Sequence, residues 1–394
     1  MISSRWSRRL GAEGVCDFVV GNPHEPPLPA YVEAIREASV PHGPNWFGYT
    51  LNQPLARAAA AQSLRDRLDV DYDDEDVFLT RGASGALVLA LNTIVDPGDE
   101  VIFLSPPWFF YEPMIAFARA IPVRTRVDQR TFDVDVDAVS AAISPRTKAI
   151  ILNTPNNPTG KIYPPETLQR LSKALIDASE ARGDAIYLIS DECYNRIVFE
   201  GSRFVSPTAF YPYAFLVYSY AKNLLTPGQR VGYLAVSPHM PERERIRRAI
   251  LAAQYNNGYA LPDTVLQHAL PDIEPLCIDI ARLQRRRDRL VESLRRQGYD
   301  VHVPDGAWYL LASSPIADDA AFVDMLADED VFVLPGRVIE MPGYFRICLT
   351  ASDEMVERAV PRFAAAMSRA KSAREEPPAG FRETARTPVE TLGL

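Results

Sequence analysis

Three side chains near the middle of the chain have the chemistry of a cofactor site: a carboxylate, an amine and a guanidinium. Asp191 follows one short apolar run, Lys222 follows the next, and Arg230 lies in a Gly-x-Arg-x-Gly segment directly after it. An amine condenses with an aldehyde, a carboxylate pairs with a protonated ring nitrogen, and a guanidinium binds phosphate through two hydrogen bonds. The three residues in this order predict a site for pyridoxal 5'-phosphate (PLP).

Lys222, Asp191 and Tyr194 are the expected catalytic residues. Lys222 would form an imine with the cofactor aldehyde and, once freed by substrate, move the proton at the substrate Cα. Asp191 would stand at the carboxyl edge of a parallel strand, where open α/β sheets bind ligands, and keep the ring nitrogen protonated. A surface lysine and a helix N-cap aspartate are the alternatives. The occurrence of both residues together favours the catalytic interpretation.

Three further residues are expected around the cofactor ring. Tyr194 and Asn157 would donate hydrogen bonds to its phenolic oxygen and so stabilise the phenolate. Asn157 lies in the segment NTPNNPTG at 153–160, whose composition is also typical of a turn; the two interpretations are compatible. Trp108 follows a predicted strand end and is expected to stack on the ring, with a place in the core as the alternative.

A phosphate-binding cup is predicted from residues on two strand-to-helix turns. Gly82, Ala83 and Ser84 open a helical pattern directly after an apolar strand, so their backbone amides would face an anion. Ser219 and Arg230 would add a hydroxyl and a guanidinium. An ordinary strand-to-helix turn is the alternative for the glycine segment.

Arg346 lies inside an otherwise apolar strand pattern. A buried guanidinium needs an anion, and the α-carboxylate of an amino acid fits it through two hydrogen bonds. An exposed position on an edge strand is the alternative. We expect Arg346 and Asn157 to bind substrate.

Composition narrows the class of protein further. The chain has 394 residues, 47% of them hydrophobic and 24% charged, with a net charge of −9, which disfavours a nucleic-acid partner. The four cysteines and five histidines have no metal-ligand spacing, so no metal is expected. No signal peptide or membrane-length apolar segment is visible, and a cytoplasmic location is expected.

The pattern of elements predicts an α/β fold with two domains. Apolar strands alternating with helices at 46–280 predict a large domain with a mostly parallel sheet covered by helices on both faces. Residues 281–370 predict a smaller α+β domain, on which an N-terminal arm, 1–45, would pack. Residues 371–394 are polar and are predicted to be a disordered tail. Within this plan one helix is expected at about 274–296 and one strand at 331–334.

These segments, in this order, resemble the class I, fold-type I PLP-dependent aminotransferases, the aspartate aminotransferase-like group, from about residue 17 to 361. The resemblance rests on NPTG at 157–160, Asp191 with Tyr194, the segment 219–222, Arg230 and Arg346. It implies a large domain with a sheet of the seven-stranded type, a small domain, and a homodimer whose active sites are shared between subunits.

The resemblance also assigns two residues that the chain alone does not. Tyr49 matches the tyrosine that reaches the phosphate of the neighbouring subunit, and Gly21 matches the loop that closes over substrate. Ala221 replaces a serine often found before the lysine. No residue is assigned to a carboxylate on the substrate side chain, so aspartate specificity is not implied.

The expected activity is transfer of the amino group of an L-amino acid to a 2-oxo acid by a ping-pong mechanism. The alternative is a PLP-dependent lyase or cyclase of the same fold, performing β- or γ-elimination or ring closure in specialised metabolism. A non-catalytic sensor module of a transcription regulator would need a DNA-binding segment, which neither the N-terminal arm nor the acidic balance supplies.

Overall fold

The computed structural model describes residues 5–258 and 262–375. Its strands are β1 (Cys16–Asp17), β2 (Val77–Thr80), β3 (Glu100–Ser105), β4 (Ile121–Arg126), β5 (Thr147–Asn153), β6 (Tyr187–Asp191), β7 (Ala214–Ser219), β8 (Gly232–Val236), β9 (Val301–His302), β10 (Tyr309–Ser313), β11 (Val331–Phe332), β12 (Leu334–Pro335) and β13 (Tyr344–Cys348). Its helices are α1 (Arg5–Arg9), α2 (Pro29–Ala38), α3 (Pro54–Leu68), α4 (Gly82–Ile94), α5 (Tyr111–Phe117), α6 (Val136–Ala142), α7 (Pro165–Arg182), α8 (Tyr220–Asn223), α9 (Arg243–Asn257), α10 (Thr264–Ile273), α11 (Ile280–Gln297), α12 (Asp319–Asp328) and α13 (Asp353–Glu375).

The large sheet has seven strands in the order β2-β8-β7-β6-β5-β3-β4. Only β8 runs antiparallel to its neighbours, β2 and β7, and the other pairings are parallel. This arrangement confirms the mostly parallel sheet predicted from the strand pattern and the seven-stranded type that the family resemblance implies.

Successive residues of the central strands enter different hydrophobic clusters on the two faces of this sheet. In β3, Val101 and Phe103 pack into one cluster, and Ile102 and Leu104 pack into the other. Because side chains alternate across a strand, a strand that is apolar at every position must be covered on both faces. The continuous apolar runs in the sequence therefore correspond to strands in the middle of the sheet.

A second sheet of four antiparallel strands has the order β12-β13-β10-β9. Helices α11 and α12 both pack against α13 beside it. The N-terminal segment contributes β1, which pairs in parallel with β11, and α2, which packs against α10. The division into domains at the stated boundaries stays a prediction.

Two predicted elements were wrong in detail. The strand expected at 331–334 is two strands, because β11 pairs with β1 whereas β12 pairs with β13. The helix expected at 274–296 begins only at Ile280, where Asp279 caps it by accepting a hydrogen bond from the Arg282 backbone N–H. Glu274, where the predicted helix would begin, is instead the C-terminal cap of α10, and its backbone N–H donates to the Leu270 carbonyl oxygen.

Residues 371–375 of the predicted disordered tail belong to α13, and 376–394 lie outside the described residues. Within residues 5–258 and 262–375, no helix is both long and apolar enough to cross a membrane.

Candidate active site

A cavity of about 220 Å³ opens at the carboxyl ends of the central parallel strands. Asn153 ends β5, Asp191 ends β6 and Ser219 ends β7, and the sheet register places Asn153 opposite Asp191. Parallel strands end at the same edge, so their terminal side chains meet there. The lining residues are Ala83, Ser84, Trp108, Asn153, Asn157, Asp191, Cys193, Tyr194, Ser219, Lys222, Arg230 and Tyr309.

Gly82, at the start of α4, lies against Ser219 and Arg230, two residues that line this cavity. Its φ is +68°, and a Cβ there would lie 2.9 Å from Arg230 Nη2 and 3.3 Å from Ser219 Oγ. Arg230 is braced by its own loop, because Nη1 donates to the Pro227 carbonyl oxygen at 2.8 Å. The start of α4, a hydroxyl and a guanidinium thus converge, which is the donor set that an anion requires.

Lys222 lies in the short helix α8, next to two aromatic rings. Its Nζ is 5.2 Å from the ring centroid of Trp308 and 5.5 Å from that of Tyr194. The following residue, Asn223, is fixed from two sides: it accepts from the Tyr218 hydroxyl at 2.8 Å and donates to the Leu276 carbonyl oxygen at 2.7 Å. These bonds hold the helix that presents the amine to the cavity.

Asp191 is a buried carboxylate at the floor of the cavity. Its Oδ2 accepts a hydrogen bond from the Tyr111 hydroxyl at 2.6 Å, and its Oδ1 accepts from the Cys193 backbone N–H at 3.3 Å. Burial raises the pKa of Asp191, and hydrogen bonds from Cys193 and Tyr111 oppose that rise. The short loop after β6 is a turn, so Asp191 does not cap a helix.

Asn157 connects Asp191 with Arg346. Its backbone N–H donates to Asn153 Oδ1 at 2.7 Å, and Asn153 Nδ2 donates to the Asp191 carbonyl oxygen at 2.9 Å. The Oδ1 of Asn157 accepts from Arg346 Nη1 at 2.8 Å. The 153–160 segment therefore serves both as a turn and as part of the cavity wall.

Arg346 is buried in the middle of the second sheet. Strand β13 lies between β12 and β10, so the alternative of an exposed edge-strand arginine was wrong. Its Nη2 donates to the Val19 carbonyl oxygen at 2.9 Å, and its guanidinium lies 4.2 Å from the Tyr309 ring centroid. Within the described residues its acceptors are neutral, and its Nε is buried without a hydrogen-bond partner.

The remaining predicted residues lie around or away from this cavity. Tyr194 donates to or accepts from the Tyr309 hydroxyl at 3.0 Å. Gly21 packs on Trp308, so close that a Cβ would lie 3.1 Å from the indole. Tyr49 is fully exposed and does not line the cavity of its own chain.

Three lining residues and one supporting residue were missed from the sequence: Asn153, Cys193, Tyr309 and Tyr111. Asn153 had a signal, because it ends an apolar strand next to the one that Asp191 ends. Cys193 lies between Asp191 and Tyr194, and Tyr111 lies three positions after Trp108. No local sequence pattern distinguishes the residues there that lie at the cavity. Tyr309 follows a fully buried tryptophan in an apolar strand and resembles a core residue.

Comparison with known proteins identifies the family. Residues 13–363 match the model of the family described as aminotransferase class I and II. The chain belongs to this family. All the residues that line the cavity lie within the matched range.

Relatives agree with this assignment. This aminotransferase is 33% identical to the aspartate/prephenate aminotransferase of Thermus thermophilus over 375 residues, which is 92% of this chain and 94% of that protein. It is 29% identical to a probable aspartate aminotransferase of Methanocaldococcus jannaschii over 89% of this chain and 93% of the relative. These names support amino-group transfer rather than the lyase or cyclase alternative.

Solved structures agree as well. An aminotransferase from Eubacterium rectale superposes with a TM-score of 0.87 at 30% identity, covering 93% of each chain. The Thermus thermophilus aspartate aminotransferase with maleate superposes with a TM-score of 0.79 at 30% identity, covering 91% of this chain and 94% of the other. This enzyme is therefore an aminotransferase of fold type I, and membership of the family implies PLP as its cofactor.

Proposed function

We propose that this aminotransferase binds PLP in the cavity described above and transfers the amino group of an L-amino acid to a 2-oxo acid by a ping-pong mechanism. One observation carries the proposal: Lys222, Asp191 and Arg230 line the same cavity of about 220 Å³. An amine, a carboxylate and a phosphate-type cup are the three groups that PLP requires.

Two features of the protein fit this cofactor and its substrate. Gly82 leaves room between α4, Ser219 and Arg230 that even a Cβ would fill, and this room faces donors suited to a phosphate. Arg346 is a buried cation whose Nε is unpaired and whose other acceptors, in the part of the chain described, are neutral. A buried charge is costly unless an anion pairs with it, so an α-carboxylate fits this position.

When bound, PLP would supply an electron sink for the electrons left at the substrate Cα after its proton is removed. Lys222 Nζ would take that proton and return it in the opposite half-reaction. Arg346 would bind the α-carboxylate, with Asn157 Oδ1 holding the guanidinium in place. Asp191 would pair with the ring nitrogen.

Tyr194 would donate a hydrogen bond to the phenolic oxygen. Burial and the neighbouring Tyr309 raise the pKa of Tyr194 well above its ordinary value, so its hydroxyl keeps its proton across the physiological range. A hydroxyl that stays protonated is a permanent donor. Trp108, which also lines the cavity, would cover the ring face.

We also propose a homodimer in which Tyr49 completes the partner's phosphate site. Tyr49 and Phe47 are large aromatic side chains exposed to solvent in the single chain. Exposed aromatic side chains close together are typical of a surface that another protein covers. The exposure of Tyr49 is consistent with a role outside its own cavity.

The decisive experiment is a half-reaction without any 2-oxo acid acceptor. Purified enzyme loaded with PLP is mixed with single amino acids, and the 2-oxo acid, ammonia and cofactor absorbance are measured. Transamination predicts one 2-oxo acid per site, no ammonia, and conversion of the cofactor to its amine form. Release of ammonia with turnover would instead support the lyase or cyclase alternative.

Lys222→Ala is the matched test of the base. We expect the half-reaction to slow by at least about a hundredfold, because a positioned general base contributes at least that much. Lys173→Ala is the control, since Lys173 is an exposed lysine paired with Asp177 on α7. Normal turnover by the Lys222 variant would refute the assignment.

The shared site is tested by mixing two variants. Tyr49→Ala and Lys222→Ala should each be impaired alone, and dimers formed from one chain of each should regain activity. In such a dimer one of the two sites combines an intact Lys222 with an intact Tyr49. If mixed dimers stay as inactive as their parents, Tyr49 does not act across subunits.

A further inference from the structure

Tyr111 does not line the cavity, but it donates a hydrogen bond to Asp191, which does. Tyr111 begins α5, on the loop after β3, and its hydroxyl lies 2.6 Å from Asp191 Oδ2. Both side chains are buried. The tyrosine is itself fixed, because its backbone N–H donates to the Trp108 carbonyl oxygen and its ring packs edge-on against Trp108 at 5.4 Å between centroids.

We infer that Tyr111 is a positioning residue, which holds the Asp191 carboxylate in its ionised form and in one orientation toward the ring nitrogen of the cofactor. This inference rests on the proposed function. Tyr111 acts through Asp191 and also ties it to Trp108, the residue proposed to cover the ring. A single side chain thereby couples the two groups that define the ring position.

The need for such a donor follows from the surroundings of Asp191. Burial disfavours its charge, and the groups that face it are the Tyr111 hydroxyl, the Cys193 thiol and backbone N–H, and the Lys222 ammonium. Lys222 is proposed to react with the cofactor, which would remove that cation from the carboxylate. The donors that remain on Asp191 are those of Tyr111 and Cys193.

Tyr111 is the stronger of these donors. The Cys193 thiol is a weak hydrogen-bond donor, and the Cys193 backbone N–H lies 3.3 Å from Oδ1. The Tyr111 hydroxyl lies 2.6 Å from Oδ2, and a phenol that donates to a carboxylate at this distance makes a charge-assisted bond. Burial and the adjacent Asp191 carboxylate also raise the pKa of Tyr111 well above its ordinary value. The Tyr111 hydroxyl therefore keeps its proton near neutral pH and is the donor in this hydrogen bond.

The test is the pH dependence of cofactor retention in Tyr111→Phe. Loaded enzyme is equilibrated across an acid pH series, passed through a desalting column, and the PLP that remains bound is measured by absorbance. A hydrogen bond donated to a carboxylate lowers the pKa of that carboxylate by about 1 to 2 units. Without the Tyr111 hydroxyl, Asp191 takes up a proton at higher pH, so the midpoint pH of acid-induced PLP release should rise by about 1 to 2 units.

Tyr211→Phe is the matched control. It removes a buried hydroxyl that donates to the Ile186 carbonyl oxygen at 2.6 Å, near the opposite end of β6, and should leave the midpoint unchanged. Tyr111→His keeps an N–H donor and should restore the midpoint toward the wild-type value. Thermal unfolding of each variant separates loss of folding from loss of cofactor.

The outcomes separate this inference from the proposed function. If the wild type does not bind PLP at all, the proposed function fails. If the wild type binds PLP and Tyr111→Phe releases it at the same pH as Tyr211→Phe, the inference about Tyr111 is wrong and the proposed function stands. Equal shifts in Tyr111→Phe and Tyr111→His would likewise overturn it, because they would show an effect of shape rather than of the donor.

Discussion

Gly82→Ala tests the phosphate cup most sharply, because one added methyl group enters the space between two of its members. The new Cβ would lie 2.9 Å from Arg230 Nη2 and 3.3 Å from Ser219 Oγ, on a backbone with φ of +68°. A left-handed conformation costs a non-glycine residue about 1 to 2 kcal/mol. Displacing the guanidinium loses a charge-assisted hydrogen bond of about 1.5 to 3 kcal/mol. The second loss corresponds to PLP binding weaker by about tenfold to a hundredfold.

Gly183→Ala isolates the backbone strain from the contact. Gly183 caps α7 with φ of +69°, and nothing lies within 4 Å of its ideal Cβ. Both variants should lose similar thermal stability as apoproteins, and only Gly82→Ala should lose affinity for PLP. The assay is titration of apoprotein with PLP by quenching of tryptophan fluorescence, with thermal unfolding of the same samples. A Gly82→Ala protein that binds PLP as tightly as Gly183→Ala would refute the assigned phosphate site.

Two other predictions concern substrate binding and stability. Arg346→Gln should raise KM for amino acid and 2-oxo acid by at least about thirtyfold, with a smaller effect on kcat, because it removes one partner of a buried charge pair. An unchanged KM would show that Arg346 does not bind the α-carboxylate of the substrate. Burial raises the pKa of Glu192 from 4.5 to about 7. The folded state then binds more protons between these values, so stability should fall by about 3 kcal/mol as pH rises from 4.5 to 7. In Glu192→Gln this part of the pH dependence of Tm should vanish, and an unchanged slope would show that Glu192 does not cause it.

The site residues that could be predicted from the sequence lie at or just after the ends of apolar strands. Asp191 and Ser219 were found because each ends an apolar strand, and Lys222 because it follows the second of these strands by three positions; the strand pattern is local. Asn153 satisfies the same rule, because it ends β5 opposite Asp191 at the end of β6. These positions follow from two facts: parallel strands end at one edge, and ligands bind at that edge.

The errors in the fold have a different origin. Residues 331–334 have the composition of one strand, yet β11 and β12 pair with different partners. The helix expected from 274 begins at Ile280, because Glu274 ends the preceding helix, α10, and Asp279 caps the start of α11. Strand pairing depends on which segment lies alongside, and this information is not contained in the segment itself.

The sequence by itself determined the family, the mostly parallel sheet and the main chemical groups at its edge, because these depend on periodicity and on residues a few positions apart. Only the tertiary structure decided which side chains support them. Tyr111 and Asp191 are 80 positions apart, and Arg346 and Asn157 are 189 apart. These hydrogen bonds require that α5 lies beside the end of β6 and that β13 lies beside the segment that follows β5. These positions are set by the fit of many buried side chains together, and no short segment of the sequence contains them.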